Sequence, residues 1–354
     1  MVITGLLLGT ALGFVLQRGR FCVTGAFRDV FISRNTKWLT AFLIVIAVQS
    51  VGFFALYSAG QVDVTSNPFQ WLGVIVGSLI FGIAIVLAGG CATGTYYRAG
   101  EGLIGSWIAL GLYGLFAAAM GGGFLSPINT ALREPTLPVT TVQDTLGISP
   151  WFLVIPLVGF TIWAARKHLG GPKLPIAQLP RTRTGISYLL FEKAWHPFAT
   201  AIVIGLIAIA AYPLSYATGR LSGLGITGPS RDIVRYIVDG DPAVGWNWGV
   251  LLVIGILLGS FIAAKGSGEF RLRVPDAQTV VRSVFGGILM GVGASLAGGC
   301  TIGNAMVQTA QFSFQGWFAF AFTFIGVGIG TKFFVTRGAG KITLRPAPAT
   351  TSVN

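Results

Sequence analysis

Nine stretches of this chain are predominantly apolar for sixteen residues or more, at about 2–17, 38–59, 71–90, 102–121, 150–168, 197–217, 247–265, 280–298 and 315–335. Each is long enough to cross, or nearly cross, the ~30 Å hydrocarbon core of a bilayer. Lipid offers the backbone no hydrogen-bond partner, so only helices and closed barrels cross it. Long apolar runs without period-2 alternation read as helices. Charged residues make up only 10% of the chain, against about 25% in a soluble domain. The expectation is an all-α polytopic membrane protein. Met1 to Leu16 lacks a basic leader segment and an A-x-A cleavage site, so it reads as a retained first span rather than a signal peptide.

The net charge of +13 raises nucleic acid as a partner, but the positions of the charges argue against it. One set of gaps holds Arg18, Arg20, Arg28, Arg34 and Lys37, then Arg98, then Arg166, Lys167, Lys173, Arg181, Arg183 and Lys193. It continues with Lys265, Arg271, Arg273 and Arg282, and a tail with Lys332, Arg337, Lys341 and Arg345. The alternate gaps hold only Arg133, Arg220, Arg231 and Arg235, offset by Asp63, Glu134, Asp144, Asp232, Asp239 and Asp241. With nine spans the two sets fall on opposite sides, and the positive-inside rule places the N-terminus outside and the C-terminus in the cytoplasm. The Trp-containing stretch Phe191 to His196 reads as interfacial.

Two apolar runs end in the same words, Leu87-Ala88-Gly89-Gly90-Cys91 and Leu296-Ala297-Gly298-Gly299-Cys300. A glycine turn at membrane depth is a broken helix, tolerated only where it is buried in protein or lines a cavity. At a shift of 209, Gly77, Gly82 and Leu87 to Cys91 also fall on Gly286, Gly291 and Leu296 to Cys300, with Gly94 on Gly303. A second block, Cys22-Val23-Thr24-Gly25 with Arg28-Asp29, matches Gly225-Ile226-Thr227-Gly228 with Arg231-Asp232, and Gly52 matches Gly259. The first four spans thus repeat as the last four. A single linker span between them inverts the second copy, an architecture of secondary transporters. The expected divisions are 1–121 for the first repeat and 122–196 for an outer loop, linker span and basic cytoplasmic segment. Residues 197–335 form the second repeat and 336–354 a cytoplasmic tail.

Each repeat contains two segments too short to span, about 22–33 and 92–99, then 228–238 and 301–311. They read as half-helices starting near Thr24, Thr93, Thr227 and Thr301. A helix start exposes N–H groups and the positive end of the dipole, which suits an anion. All three cysteines lie at these breaks in a Cys-x-x-Gly context, and an odd number excludes a complete disulfide framework. Both histidines, His168 and His196, fall in the cytoplasmic segment, which disfavours a metal site and a Cys–His nucleophile pair. A neutral thiol is a weak S–H donor, and several weak sites favour throughput. The expected transport residues are Cys22, Cys91 and Cys300 with Gly90, Thr93, Gly94, Gly299, Thr301 and Gly303. Arg18, Arg20 and Arg98 at the inner mouths, and Arg220, Arg231 and Arg235 at the outer, are candidates for an anion funnel, with Glu101 paired to Arg98. No cofactor is expected.

The segments Gln17-Arg18-Gly19-Arg20-Phe21-Cys22, Leu87 to Gly94, Tyr97-Arg98-Ala99-Gly100-Glu101-Gly102 and Ala297 to Cys300 together resemble the YeeE/YedE family of membrane proteins. The resemblance covers nearly the whole chain, including Phe191 to Pro197 and Gly225 to Gly228. It implies thiosulfate uptake across the cell inner membrane through an hourglass of nine spans and four half-helices. It also implies that Cys22, Cys91 and Cys300 pass the ion along by S–H to sulfur hydrogen bonds, and that a small cytoplasmic sulfur-carrier protein of the TusA type cooperates. Two other readings of the residues stay open. One is a channel for other small anions with the cysteines as packing; the other is a membrane sulfurtransferase using a persulfidated cysteine.

Overall fold

The computed structural model describes residues 2–64, 68–170, 184–240, 244 and 246–336. Lys173, Arg181, Arg183, Asp241, Arg337, Lys341 and Arg345 lie outside them. Among the described residues, helices dominate, no strand forms, and nine helices are long and apolar enough to cross a membrane. The protein is an all-α polytopic membrane protein. The first third of the chain contributes α1 (Ile3–Gly19), α2 (Val23–Ile32), α3 (Lys37–Ser58), α4 (Trp71–Leu87), α5 (Ala92–Gly100) and α6 (Ile104–Gly122). Two short helices follow, α7 (Ser126–Arg133) and α8 (Val142–Leu146), then the linker span α9 (Trp151–Leu169). The remainder is α10 (Pro197–Tyr216), α11 (Thr227–Asp239), α12 (Trp248–Gly266), α13 (Ala277–Leu296) and α14 (Phe314–Thr331).

The spans pack in pairs that the sequence equivalence interchanges. Helix α1 lies on α12 as α3 lies on α10, and α4 lies on α14 as α6 lies on α13, while α4 and α13 meet each other. The short helices follow: α2 packs on α3 and α14, and α11 on α12 and α6. Glycine makes these contacts close. A Cβ on Gly5, Gly9 or Gly13 would strike the carbonyls of Trp248, Leu252 or Ile256, and one on Gly255 or Gly259 would strike those of Leu6 or Thr10. Small residues repeating every four positions on both helices let the backbones touch, as membrane helices need when lipid is as apolar as their side chains.

One expectation is corrected. The segment expected as a half-helix over 301–311 begins instead as a π-helical turn, Gly303–Gln308, with the Val307 N–H reaching back to Ile302 O at 2.9 Å. Such turns concentrate at functional sites. The stretch Phe191 to His196, expected at the interface, also has its aromatic rings against protein. Phe191 and Trp195 sit 5.7 and 6.3 Å from Phe14, and Gly266 leaves room for the Phe191 ring.

Because the atoms around Gly259 are backbone, Gly259→Val should cost about 1–3 kcal/mol of stability through overpacking. Gly111, which has open space around it, should tolerate alanine with no loss. Unfolding of the purified variants in detergent checks both, and equal melting would remove the glycine contact as the cause.

Candidate functional site

Both Gly-Gly-Cys turns have one geometry. Helix α4 ends at Leu87 and Gly89 turns left-handed at φ 71°, while α13 ends at Leu296 and Gly298 does so at φ 75°. Only glycine adopts this conformation without strain. The last helical bonds also match, Ala88 N–H to Ala84 O and Ala297 N–H to Gly293 O, each at 2.9 Å. The turn carbonyls find different donors. Arg98 donates to Gly89 O, whereas Asn304 Nδ2 donates to Ala297 O at 2.7 Å and Gly299 O at 3.2 Å. Asn304 was not legible as a site residue, because its equivalent in the first repeat is Thr95, which donates to Cys91 O at 2.9 Å.

Cys22 and Cys91 occupy the position just before a half-helix. Cys22 is extended ahead of α2, and the Cys91 sulfur accepts the Gly94 N–H at 3.4 Å. All three thiols are free and buried. Two of them converge at Gly94, where a Cβ would lie 3.0 Å from Cys22 Sγ and 3.6 Å from Cys91 Sγ. Thr301, the residue after Cys300, has its hydroxyl near Cys91. The structure therefore brings Cys22, Cys91 and Gly94 together, with Thr301 beside Cys91 and Cys300 in the wall of a neighbouring cavity. The Thr24 and Thr93 hydroxyls are buried with no hydrogen-bond partner, and an unpaired buried hydroxyl costs about 1–3 kcal/mol. Thr227 accepts from Tyr113 at 2.8 Å, leaving its own proton to donate.

Cys300 lines one of two neighbouring cavities. One of about 180 Å³ is lined by Arg220, Gly225, Thr227, Gly299, Cys300 and Gly303 among others. A second of about 130 Å³ shares Thr227, Gly228 and Gly298 with it and adds Asn129, Arg133 and Arg231. Arg220 lies over the Trp248 ring at 5.5 Å and donates to Gly223 O at 3.3 Å. Arg133 donates to Gln70 at 2.5 Å and Ser295 O at 3.4 Å. Neither makes an ion pair among the described residues. Burial pushes the pKa of each guanidinium down, for Arg133 with help from Arg231. A desolvated cation without a carboxylate is an attractive place for an anion. Arg133 was missed as a site residue because it sits in the long loop between α6 and α9 and only folding brings α7 over α13.

The other funnel candidates, apart from Arg98, are paired with carboxylates. Arg231 meets Asp232 at 3.3 Å, and Arg235 meets Asp239 at 3.5 Å and lines neither cavity. At the end of α1, Arg20 bridges Glu101 at 2.7 Å and Glu269 at 2.9 Å, and Arg18 lies 3.7 Å from Glu269. Glu101 thus pairs with Arg20, not with Arg98 as expected, because Arg98 is turned back onto Gly89 O and its own Tyr97 ring at 5.8 Å. Burial raises the pKa of Glu101 despite Arg20. At Glu269 burial acts the same way, but the Gln17 hydrogen bond and the Arg20 and Arg18 charges outweigh it and hold the carboxyl low.

A family model described as sulphur transport matches residues 18–329. The chain belongs to the sulphur-transport family. This is the YeeE/YedE family that the sequence motifs resemble. Over 317 residues the chain is 55% identical to the thiosulfate transporter TsuA of Escherichia coli (strain K12), covering 90% of each protein. It is 33% identical over 336 residues to TsuA of Spirochaeta thermophila, covering 90% of this chain and 94% of that one. A shorter match, 38% over 104 residues and 29% of this chain, reaches the probable transporter YedE of Escherichia coli. In this member of the family the unpaired cations and the thiols adjoin.

Replacing Arg220 by Gln should weaken thiosulfate or sulfate binding roughly tenfold, since hydrogen bonds to charged groups contribute about 1.5–3 kcal/mol. Arg235→Gln should leave it unchanged. Calorimetric titration in detergent compares them, and an equal effect of both would remove the outer cavities from the site.

Proposed function

We propose that this protein imports thiosulfate into the cytoplasm across the cell inner membrane. The carrying observation is that three free, buried thiols sit at broken-helix ends, two of them meeting at Gly94 and the third lining a cavity with an unpaired arginine. Two relatives that match over nine-tenths of the chain are named thiosulfate transporters, which supports this substrate. In this reading the N-terminus is outside and the C-terminus cytoplasmic. Residues 1–121 and 197–335 are inverted repeats, joined by 122–196 and followed by the tail 336–354.

The dianion collects in the outer cavities, where Arg220, Arg133 and the Thr227 hydroxyl replace part of its water shell. Its terminal sulfur then accepts an S–H hydrogen bond from Cys300. The same contact passes to Cys91 and then to Cys22, with the Thr301, Thr93 and Thr24 hydroxyls serving the oxygens on the way. The thiols stay protonated, since a thiolate would repel the ion. No bond forms or breaks, so the process is transport and not catalysis. His168 bonds Thr36 at 3.0 Å and His196 accepts from the Phe198 N–H at 3.2 Å, so neither is aimed at a thiol as a base. Each contact is weak, which lets the ion leave as readily as it arrives. A small cytoplasmic TusA-like sulfur carrier is the proposed partner at the inner end.

Cys22→Ala, Cys91→Ala and Cys300→Ala should each slow uptake of labelled thiosulfate into proteoliposomes about fivefold or more, the weight of one hydrogen bond of about 1 kcal/mol at a barrier. Melting should be unchanged, because alanine keeps the space apolar. Normal uptake by the triple variant would leave the thiols as packing and favour a channel for small anions.

A further inference from the structure

Helices α3, α9 and α10 enclose a groove of about 540 Å³ that the transport path does not use. Its walls include Ile44 and Val51 of α3, Val158 and Leu169 of α9, and Phe198 and Ile209 of α10. The polar side chain in the wall, Thr161, has turned its hydroxyl onto Leu157 O at 2.7 Å. The groove therefore offers an occupant nothing but apolar surface. It runs eleven residues along α10 (209 − 198) and eleven along α9 (169 − 158). At 1.5 Å per residue that is about 16 Å, close to half of a ~30 Å hydrocarbon core. Its depth is that of one leaflet. The deep end closes where Ile209 fills the space left by Gly52.

The groove is held open at its other end. Only 11% of the α9 window is buried, yet Thr36 hydrogen-bonds His168 at 3.0 Å and the His168 ring meets Phe198 at 6.4 Å. These contacts pin α9 beside α3 and α10 below the opening. Two cations flank it. Lys37 lies seven residues before Ile44 on the same face of α3, and Arg166 follows Ile162 by one turn. Lys167 instead lies over Trp163 at 5.9 Å, on the face of α9 turned away from the groove. Neither Lys37 nor Arg166 makes an ion pair among the described residues.

We infer that this groove binds an anionic phospholipid of the cytoplasmic leaflet, with one acyl chain along α3, α9 and α10 and the phosphate against Lys37 and Arg166. An apolar slot one leaflet deep with a cationic rim matches both parts of such a molecule. Each basic residue near the membrane surface attracts an anionic headgroup by about 1 kcal/mol. A second copy of this chain fits less well, because a two-fold axis along the membrane normal would bring like cations together in one leaflet. The inference rests on the orientation given above and not on the substrate.

The full-length protein in detergent is titrated with phosphatidylglycerol and, separately, with phosphatidylcholine, and bound lipid is counted by native mass spectrometry. Phosphatidylglycerol is expected to bind preferentially, with Lys37→Gln and Arg166→Gln each weakening it roughly fivefold and Lys167→Gln, on the far face of α9, leaving it unchanged. Filling the groove from its lipid-exposed wall with Ile162→Trp or Ile202→Trp should abolish retention of that lipid while melting and thiosulfate uptake persist. Equal binding of both lipids, unaltered by the charge variants, would overturn the headgroup assignment. A dimer that dissociates in the tryptophan variants would overturn the occupant. Loss of uptake in the cysteine variants bears on neither outcome.

Discussion

A peptide group in hydrocarbon has no solvent to fall back on, and each unsatisfied one costs several kcal/mol. A helix that stops inside a membrane must therefore find partners for its last carbonyls within the protein. Here the two breaks are satisfied by side chains that come from the next half-helix, Arg98 for Gly89 and Asn304 for Ala297 and Gly299. Each half-helix is thus tied back to the span it interrupts. That tie sets where the cysteine before it points, and it leaves the half-helix start facing the interior. The placement of the thiols is a consequence of how the broken backbone is made whole.

Close helix packing does the rest. Glycines on α1 and α12 bring their backbones into contact, and Gly94 does the same for two sulfurs. At Gly94 the missing side chain is what lets Cys22 meet Cys91, two residues from different half-helices. The mate of Gly94, Gly303, has nothing within 4 Å of a Cβ position. The two matching Gly-Gly-Cys turns therefore share a backbone geometry but differ in what surrounds them. Where the first copy has a cysteine at 22, the second has Gly225, and a cavity with Arg220 beside it occupies that region. A Cβ at 225 would approach the Arg220 guanidinium to 2.9 Å, so the small residue also leaves the cation its place.

Much of this was legible in the sequence because it depends on hydropathy and on glycine. Span positions follow from apolar run length, and the breaks follow from Gly-Gly-Cys in a setting where few other sequences turn. The repeat was visible because both copies keep the same glycines at the same helix contacts. The side-chain partners were not legible. Arg20 meets Glu101 across 81 residues of chain and Gln17 meets Glu269 across 252, and no local pattern encodes such pairs. Assigning Glu101 to Arg98 followed nearness in sequence, but Arg98 satisfies a backbone carbonyl first. Arg133 was hidden in the same way, since its loop lies over α13 only after folding. The π-helical turn was missed because a single wide bond, Val307 to Ile302, has no composition of its own.

The two ends of the site treat cations in opposite ways. At one end Arg220 and Arg133 are desolvated and free of carboxylates, while at the other Arg18 and Arg20 are held by Glu269 and Glu101. An unpaired buried cation gains from an arriving anion what it lost in leaving water. A cation already bridged by two carboxylates gains little, and the carboxylates repel the ion as well. The standing occupancy of a dianion is therefore weighted toward the end with the cavities. That weighting cannot by itself drive net flow, because a fixed structure lowers the barrier equally in both directions. What it does is separate capture from release. In the proposed reading, dilute thiosulfate would be concentrated where binding is favourable and would depart from an end that holds it weakly. Net import would then require keeping the free ion low on the far side, which is the contribution proposed for a cytoplasmic sulfur carrier.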